Sequence, residues 1–190
     1  MRSETLVSWS AMVGRGLTRF DLFERRVCAL INRGARPQPV RKFFAIVSRL
    51  GDGIFWYSLM AMLALSQGEA GRLAATQMAL AAIVGVALYK LLKARLVRER
   101  PFMVHPGILA GTAPLDRYSF PSGHTLHAVM FTTLAIAWFP LLAAVLVPFA
   151  LLVAVSRMVL GLHYPTDVVV GALIGWGLAE LALMLLPPTL

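Results

Sequence analysis

Residues 156–167 read SRMVLGLHYPTD and lie between two apolar runs, Leu141 to Val155 and Val168 to Leu186. Hydrocarbon tolerates Arg157, His163 and Asp167 poorly, because a charge at a bilayer centre costs about 2.5–3.5 kcal/mol or more. Residues kept at such a place either mark the wet end of a span or serve a purpose there. The flanking runs approach the roughly 20 residues that cross a bilayer. The composition agrees with a membrane location. Hydrophobic residues make up 58% and charged residues 14%, against about 45–50% and about 25% in soluble domains, and the mean hydropathy is +0.74. The chain is therefore read as an integral membrane protein with the bilayer as its solvent.

Working outward, further apolar runs appear at Leu73 to Leu92 and at Thr125 to Phe139. The first span is Ile54 to Leu65, which is short. Extending it back to Phe43 gives enough length but includes Arg49 and Asp52, three apart and able to pair on one helix face. We read these two as the wet end of the helix, the alternative being a buried pair near a site. SQGEAGR (66–72) reads as a polar turn, and Pro140 as a tight link. From Leu17 to Ile31, apolar Phe20, Phe23, Val27, Leu30 and Ile31 fall at helical spacing among Arg19, Glu24, Arg25 and Arg26. That pattern predicts an amphipathic helix lying in the interface, too charged to span. Residues 1–16 have no such pattern, and the N-terminus lacks the features of a removable signal peptide. No strand pattern, repeat or low-complexity tract is present. The expectation is an all-α integral membrane helical bundle of about five to six transmembrane helices. An N-terminal segment, 1–42, would precede a membrane domain, 43–190. The lone Cys28 reads as a buried, inert thiol.

The net charge of +9 would suggest nucleic acid in a soluble protein. Here the bases gather at the ends of apolar runs and do not alternate with aromatics. Anionic lipid headgroups or an anionic substrate fit better, and a nucleic-acid partner is excluded.

Spans alternate in direction. The second ends at Lys93, the third begins at Ser122, the fourth ends near Arg157 and the fifth begins near Asp167. Topology alone brings these four points to one side, while the other side carries short links and one base, Arg72. In KARLVRERP (93–101), Lys93 and Arg100 are seven apart, close to two helical turns, so both can face one way. Pro101 disfavours helix at Arg100. In FPSGHTLH (120–127), Ser122 suits a helix cap, Gly123 lets a ligand approach the backbone, and His124 falls in the first turn, where free N–H groups favour an anion. Arg157 offers a planar fork of donors. Asp167, four residues after His163, is close enough to accept a proton from one ring nitrogen and orient the ring. Each feature also has a plainer reading: headgroup cations, a common helix start, an acidic helix N-terminus.

Together the pieces resemble a specific signature. Lys93-x6-Arg100-Pro101, Pro121-Ser122-Gly123-His124 and Ser156-Arg157-x5-His163-x3-Asp167 match, in order and spacing, the three-part signature of the type 2 phosphatidic acid phosphatase (PAP2) superfamily. The resemblance implies a lipid phosphatase in which His163 attacks phosphorus, Asp167 supports it and His124 serves as acid and base. It assigns Lys93, Arg100, Ser122, Gly123 and Arg157 to the phosphate, and implies no metal and no other cofactor. The substrate it implies is a lipid phosphate held in the bilayer, with undecaprenyl diphosphate favoured and phosphatidylglycerophosphate or phosphatidic acid as alternatives. Lys90, Arg95, Arg98, His105, Asp116 and His127 lie outside the signature and keep their plainer readings, Arg95 and Arg98 as cations for headgroups and His127 as a packing residue. Counting bases on the site's face would place it in the cytoplasm. Several of those bases are accounted for by phosphate binding, and similar bacterial enzymes often face the periplasm, so the expected location is the periplasmic side of an inner membrane. Two other functions use the same residues: a metal-dependent hydrolase with His124, His163 and Asp167 as ligands, and an anion-conducting bundle lined by Lys93, Arg100 and Arg157.

Overall fold

The computed structural model describes residues 21–114 and 116–188. Residues 1–20, and with them the expected helix start at Leu17, Arg19 and Phe20, lie outside that range. Helix α1 covers residues 21–34. It is followed by α2 (Gln38–Leu50), α3 (Ile54–Ser66), α4 (Gly68–Arg95), the single turn α5 (Pro101–Val104), α6 (Gly123–Trp138), a 3-10 turn (Pro140–Leu142), α7 (Ala143–Val159) and α8 (Pro165–Leu185). Among the described residues the one extended pairing is an isolated bridge between Glu99 and Tyr118. The molecule is the expected all-helical membrane bundle.

Among the described residues, three helical stretches are long and apolar enough to cross a bilayer: Gly68–Arg95, Pro140–Val159 and Pro165–Leu185. Helix α3 is apolar but only 13 residues long. The first span does not extend back to Phe43, because the turn at Gly51–Gly53 separates α2 from α3. The expected polar turn at 66–72 shrinks to Gln67, since α4 starts at Gly68 and takes in Glu69 and Arg72.

Helix α6 is the axis of the bundle. It is buried over most of its surface, through Leu126, Ala128, Met130, Phe131, Leu134 and Ala135, with Val129, Thr133, Ile136 and Ala137 half-buried, as expected of a helix packed against several others. Trp56, Leu59 and Leu63 of α3, Met78 of α4, and Leu146 and Val153 of α7 close around it in one apolar cluster. On α8 the contact with α6 is a stripe of small residues, Gly171, Gly175 and Ala179. A Cβ at Gly175 would lie 2.2 Å from the Leu126 carbonyl oxygen, so the backbones approach as closely as in small-xxx-small packing. Lipid supplies no hydrophobic drive between helices, and such backbone contact replaces it. The large side chains turned outward, Leu80, Ile83, Leu141, Leu151, Leu173 and Leu181, are exposed and face the acyl chains.

At the end of the bundle away from Lys93, Gln77 receives the indole N–H of Trp138 (2.7 Å) and donates to the Ala182 and Leu186 carbonyls (2.8 and 3.0 Å). The Ala182 carbonyl also accepts the Leu186 N–H (3.0 Å), so Gln77 and Trp138 tie the end of α8 to α4 and α6.

Candidate active site

The end of α4, the start of α6, the end of α7, the loop leading into α8 and the α2–α3 turn meet around one cavity of about 230 Å³. Its walls include Lys93, Arg100, Gly123, His124, Arg157 and His163. The alternation of spans placed these residues on one side, and the packing of α6 against α8 brings them within reach of a single small group.

Each side chain has a local cause. The segment 160–164 joins α7 to α8 through Gly161, whose φ of +70° suits glycine and where a Cβ would fall 2.8 Å from the Ile108 side chain. The Arg157 carbonyl then accepts both the Leu162 and His163 N–H groups (3.0 and 3.2 Å), which turns the histidine back into the bundle. Pro165 occupies the first turn of α8, where its fixed φ is already helical and its missing N–H does no harm. The Ser122 N–H donates to the Asp167 carbonyl (3.0 Å), joining the start of α6 to the first turn of α8.

His163 is 2% exposed. Its Nε2 faces the Arg100 guanidinium (3.2 Å) and the cavity. Its Nδ1 faces Asp167 at 3.6 Å, longer than a hydrogen bond, and has no other partner. The expected His163–Asp167 hydrogen bond is therefore not formed in this structure, although the carboxylate stands close behind the ring. Asp167 Oδ2 is taken by the Tyr164 N–H (2.8 Å) and Oδ1 by Arg98 (2.7 Å). Burial, then the charges of Arg157, Arg100 and Lys93, hold the His163 imidazole well below its ordinary range, so the ring is neutral with a free lone pair.

Two expectations about the cations are corrected. Helix α4 ends at Arg95, and residues 96–100 run extended into Pro101, the conformation that a following proline favours. Lys93 and Arg100 thus reach one cavity by a chain reversal, not by lying two helical turns apart. Asp116 holds both: Lys93 Nζ donates to its two carboxylate oxygens (2.7 and 2.8 Å) and Arg100 Nη2 to one of them (2.8 Å). Burial raises the Asp116 pKa, but the bonds and charges of Lys93 and Arg100 outweigh it and keep the carboxyl below its usual range. Arg98, read as a headgroup cation, instead forms ion pairs with Glu24 and Asp167 (both 2.7 Å).

Ser122 stands at the N-cap of α6, but its hydroxyl bonds to Thr125 Oγ1 (3.0 Å) and caps no N–H. It is also the one expected phosphate ligand that does not line the cavity. His127, one turn along α6, bonds to the Gly123 carbonyl through Nδ1 (2.8 Å) and forms part of the wall beside Tyr89 and Phe131.

Asp52 was read as a wet-end marker. The α2–α3 turn instead places it in the cavity wall, with its carboxylate bonded to His124 Nε2. Ser48 of α2 accepts a hydrogen bond from Arg157. The available signal for Asp52 was a carboxylate interrupting an apolar run, and nothing local pointed to its partner 72 residues away. Cys28 is buried, as expected, and burial followed by the Asp167 and Glu24 charges pushes its thiol up to about 12.

Among the described residues, no group of three or more His, Cys, Asp and Glu side chains is placed to hold a metal ion. Asp167 sits behind His163 against Arg98, and the three cations lining the cavity would repel a metal.

A helical membrane bundle with three histidines and three cations around one pocket defines a narrow class of protein, and the comparisons with known proteins agree. Residues 74–188 match the PAP2 superfamily, and the chain belongs to that family. It is 40% identical over 70 residues to phosphatidylglycerophosphatase B of Escherichia coli K12, covering 34% of this chain and 28% of that protein. It is 40% identical over 119 residues to decaprenylphosphoryl-5-phosphoribose phosphatase of Mycolicibacterium smegmatis, covering 61% of this chain and 62% of that one. The matches thus span less than two thirds of each curated relative. Among solved structures, Aquifex aeolicus LpxE aligns with a TM-score of 0.73 at 29% identity, over 84% of this chain and 93% of that one. A transmembrane PAP2-type phosphatidylglycerolphosphate phosphatase from Bacillus subtilis aligns with a TM-score of 0.65 at 23% identity, over 90% and 94% of the two chains, a likeness of fold.

Histidine 15N chemical shifts of the ligand-free protein should show His163 neutral at about pH 6, below the ordinary histidine value of about 6.5. A protonated His163 at that pH would contradict the buried, cation-flanked environment described above.

Proposed function

We propose that the protein is a metal-independent membrane lipid phosphatase that works through a phosphohistidine on His163. The observation that carries this reading is that His163 Nε2 and the His124 ring line the same cavity as Lys93, Arg100 and Arg157.

The Nε2 lone pair attacks phosphorus as the bond to the lipid-side oxygen breaks, and His124 gives its proton to that oxygen. His124 then takes a proton from water, the water oxygen bonds to phosphorus, and the P–N bond breaks to return neutral His163 and free phosphate. Positive charge that develops on the attacked imidazole falls beside the Asp167 carboxylate. Asp52 plays the matching part for His124, holding its ring toward the cavity. Lys93, Arg100, Arg157 and the Gly123 N–H take up the charge on the transferred phosphoryl group, a role that other enzymes give to metal ions. The Ser122 hydroxyl supports the start of α6 through Thr125 and acts on the phosphate indirectly. Asp116 holds Lys93 and Arg100 until a phosphate replaces it.

The cavity wall continues from the cations to Val86, Trp56 and Phe131, apolar residues between α3, α4 and α6. A phosphate at the charged end with an acyl or prenyl chain along the apolar side fits this gradient. Undecaprenyl diphosphate is the favoured substrate, with phosphatidylglycerophosphate or phosphatidic acid as alternatives. The relative that aligns over the longer stretch is named for a decaprenyl lipid phosphate, which supports the polyprenyl choice. The cations on the site's face are used by the pocket, so they are poor topology markers, and the site is assigned to the extracytoplasmic side of the inner membrane.

The purified protein, offered undecaprenyl diphosphate, phosphatidylglycerophosphate and phosphatidic acid, should release phosphate in excess chelator, and His163→Ala should abolish release. Activity lost in chelator and restored by a divalent ion would favour the metal-dependent hydrolase, and anion flux that survives His163→Ala without phosphate release would favour a conducting bundle. Asp52→Asn should lower kcat by about ten- to a hundredfold, the range for a group supporting a reacting residue. Wild-type kcat in Asp52→Asn would remove Asp52 from the mechanism.

A further inference from the structure

Helix α1 touches the rest of the molecule along one polar stripe. Glu24, Cys28 and Asn32 are spaced one helical turn apart and all are buried, while Leu22, Phe23 and Leu30 remain exposed. The apolar side is left uncovered by protein, as expected of a helix whose apolar face lies in the membrane interface. Each stripe residue reaches the loop that carries His163 or the residues beside it. Cys28 Sγ lies 3.4 Å from the His163 carbonyl. Asn32 Nδ2 donates to the Val159 carbonyl (2.9 Å). Glu24 Oε1 accepts the Thr166 N–H and hydroxyl (2.8 and 2.6 Å), and Oε2 pairs with Arg98 (2.7 Å).

Arg98 completes the chain. Its guanidinium binds Glu24 with one nitrogen and both Asp167 Oδ1 and Thr166 Oγ1 with the other, and it lies 4.0 Å from the centre of the Tyr164 ring. Asp167 has no exposed surface, so an ionised carboxylate there needs donors on every side. Arg98 is the charged one among them. Arg98 and Glu24 are absent from the cavity wall, so neither can grip the phosphate.

We propose that Glu24 and Arg98 are positioning residues of the reaction centre: Glu24 on α1 holds the Arg98 fork, and Arg98 holds the Asp167 carboxylate ionised behind His163 Nδ1. The N-terminal helix then serves the reaction centre through Glu24 and is not merely a membrane anchor. A lysine cannot replace Arg98, because a single ammonium cannot bridge two carboxylates with fixed geometry. Glu24→Gln keeps the shape but leaves Arg98 neutralised by Asp167 alone, which weakens the negative field behind the attacked ring. The proposal rests on the phosphohistidine reading above.

The test compares Arg98→Lys, Arg98→Gln and Glu24→Gln with Asn32→Ala, which loosens the same helix away from Asp167. Steady-state kinetics are measured on the lipid phosphate that the wild type hydrolyses, at a temperature where each variant is folded. Both Arg98 variants should lose about ten- to a hundredfold in kcat, as for other groups that orient a reacting residue. KM should stay within about threefold, since no phosphate contact is removed. Glu24→Gln should fall between them and wild type, and Asn32→Ala should lose thermal stability with kcat unchanged. If an Arg98 variant does not fold, the isosteric Glu24→Gln carries the same comparison. Folded Arg98 or Glu24 variants with wild-type kcat, or with a raised KM and unchanged kcat, would overturn the positioning role. A wild type that releases phosphate from none of the lipids would instead overturn the phosphatase reading, and this proposal with it.

Discussion

The structure depends on keeping several charges out of water at one end of a membrane bundle. Lys93, Arg100 and Arg157 are all buried beside His163, and burying cations without partners is among the costliest things a fold can do. Asp116 pairs with Lys93 and Arg100, the Leu162 carbonyl also accepts from Arg100, and Ser48 accepts from Arg157. What remains is an excess of positive charge facing a cavity, the electrostatic condition that favours a phosphoryl group. Burial first, and then this excess, hold the His163 imidazole well below its ordinary range, which leaves its lone pair free.

Rigidity comes from the backbone more than from the charges. Helix α6 carries His124 and is locked to α8 by contact that leaves no room for a Cβ at Gly175. The Ser122 to Asp167 backbone bond joins the two helix starts where the site sits. Arg100 and Asp116, outside the long helices, complete the cavity wall, and α1 is bonded to the 159–166 segment. Apolar residues thus do two separate jobs. Small ones allow the helices to meet, and large ones turn toward lipid.

Much of this was readable from local pattern. Span alternation placed Lys93, Ser122, Arg157 and Asp167 on one side, and of the signature residues Lys93, Arg100, Gly123, His124, Arg157 and His163 line the cavity, whereas Pro101, Pro121, Ser122, Ser156 and Asp167 do not. What stayed hidden depends on contacts far apart in the chain. Glu24 meets Thr166 across 142 residues, and Asp52 meets His124 across 72. Periodicity can show that α1 is amphipathic, but it cannot show that its polar stripe faces inward. Arg98 looked like a headgroup cation because its two carboxylate partners come from opposite ends of the sequence. Lys93 and Arg100 were brought together for the wrong reason, since a helical spacing was assumed where Pro101 enforces extended chain.

The most direct test of the central claim is a structure of the protein with vanadate, a phosphate mimic that adopts the geometry of phosphoryl transfer. The account predicts vanadium bonded to His163 Nε2, with Arg100, Arg157 and Lys93 on its oxygens and His124 on the opposite side. Vanadate bound away from His163, or held by the cations with the His163 ring turned aside, would contradict it.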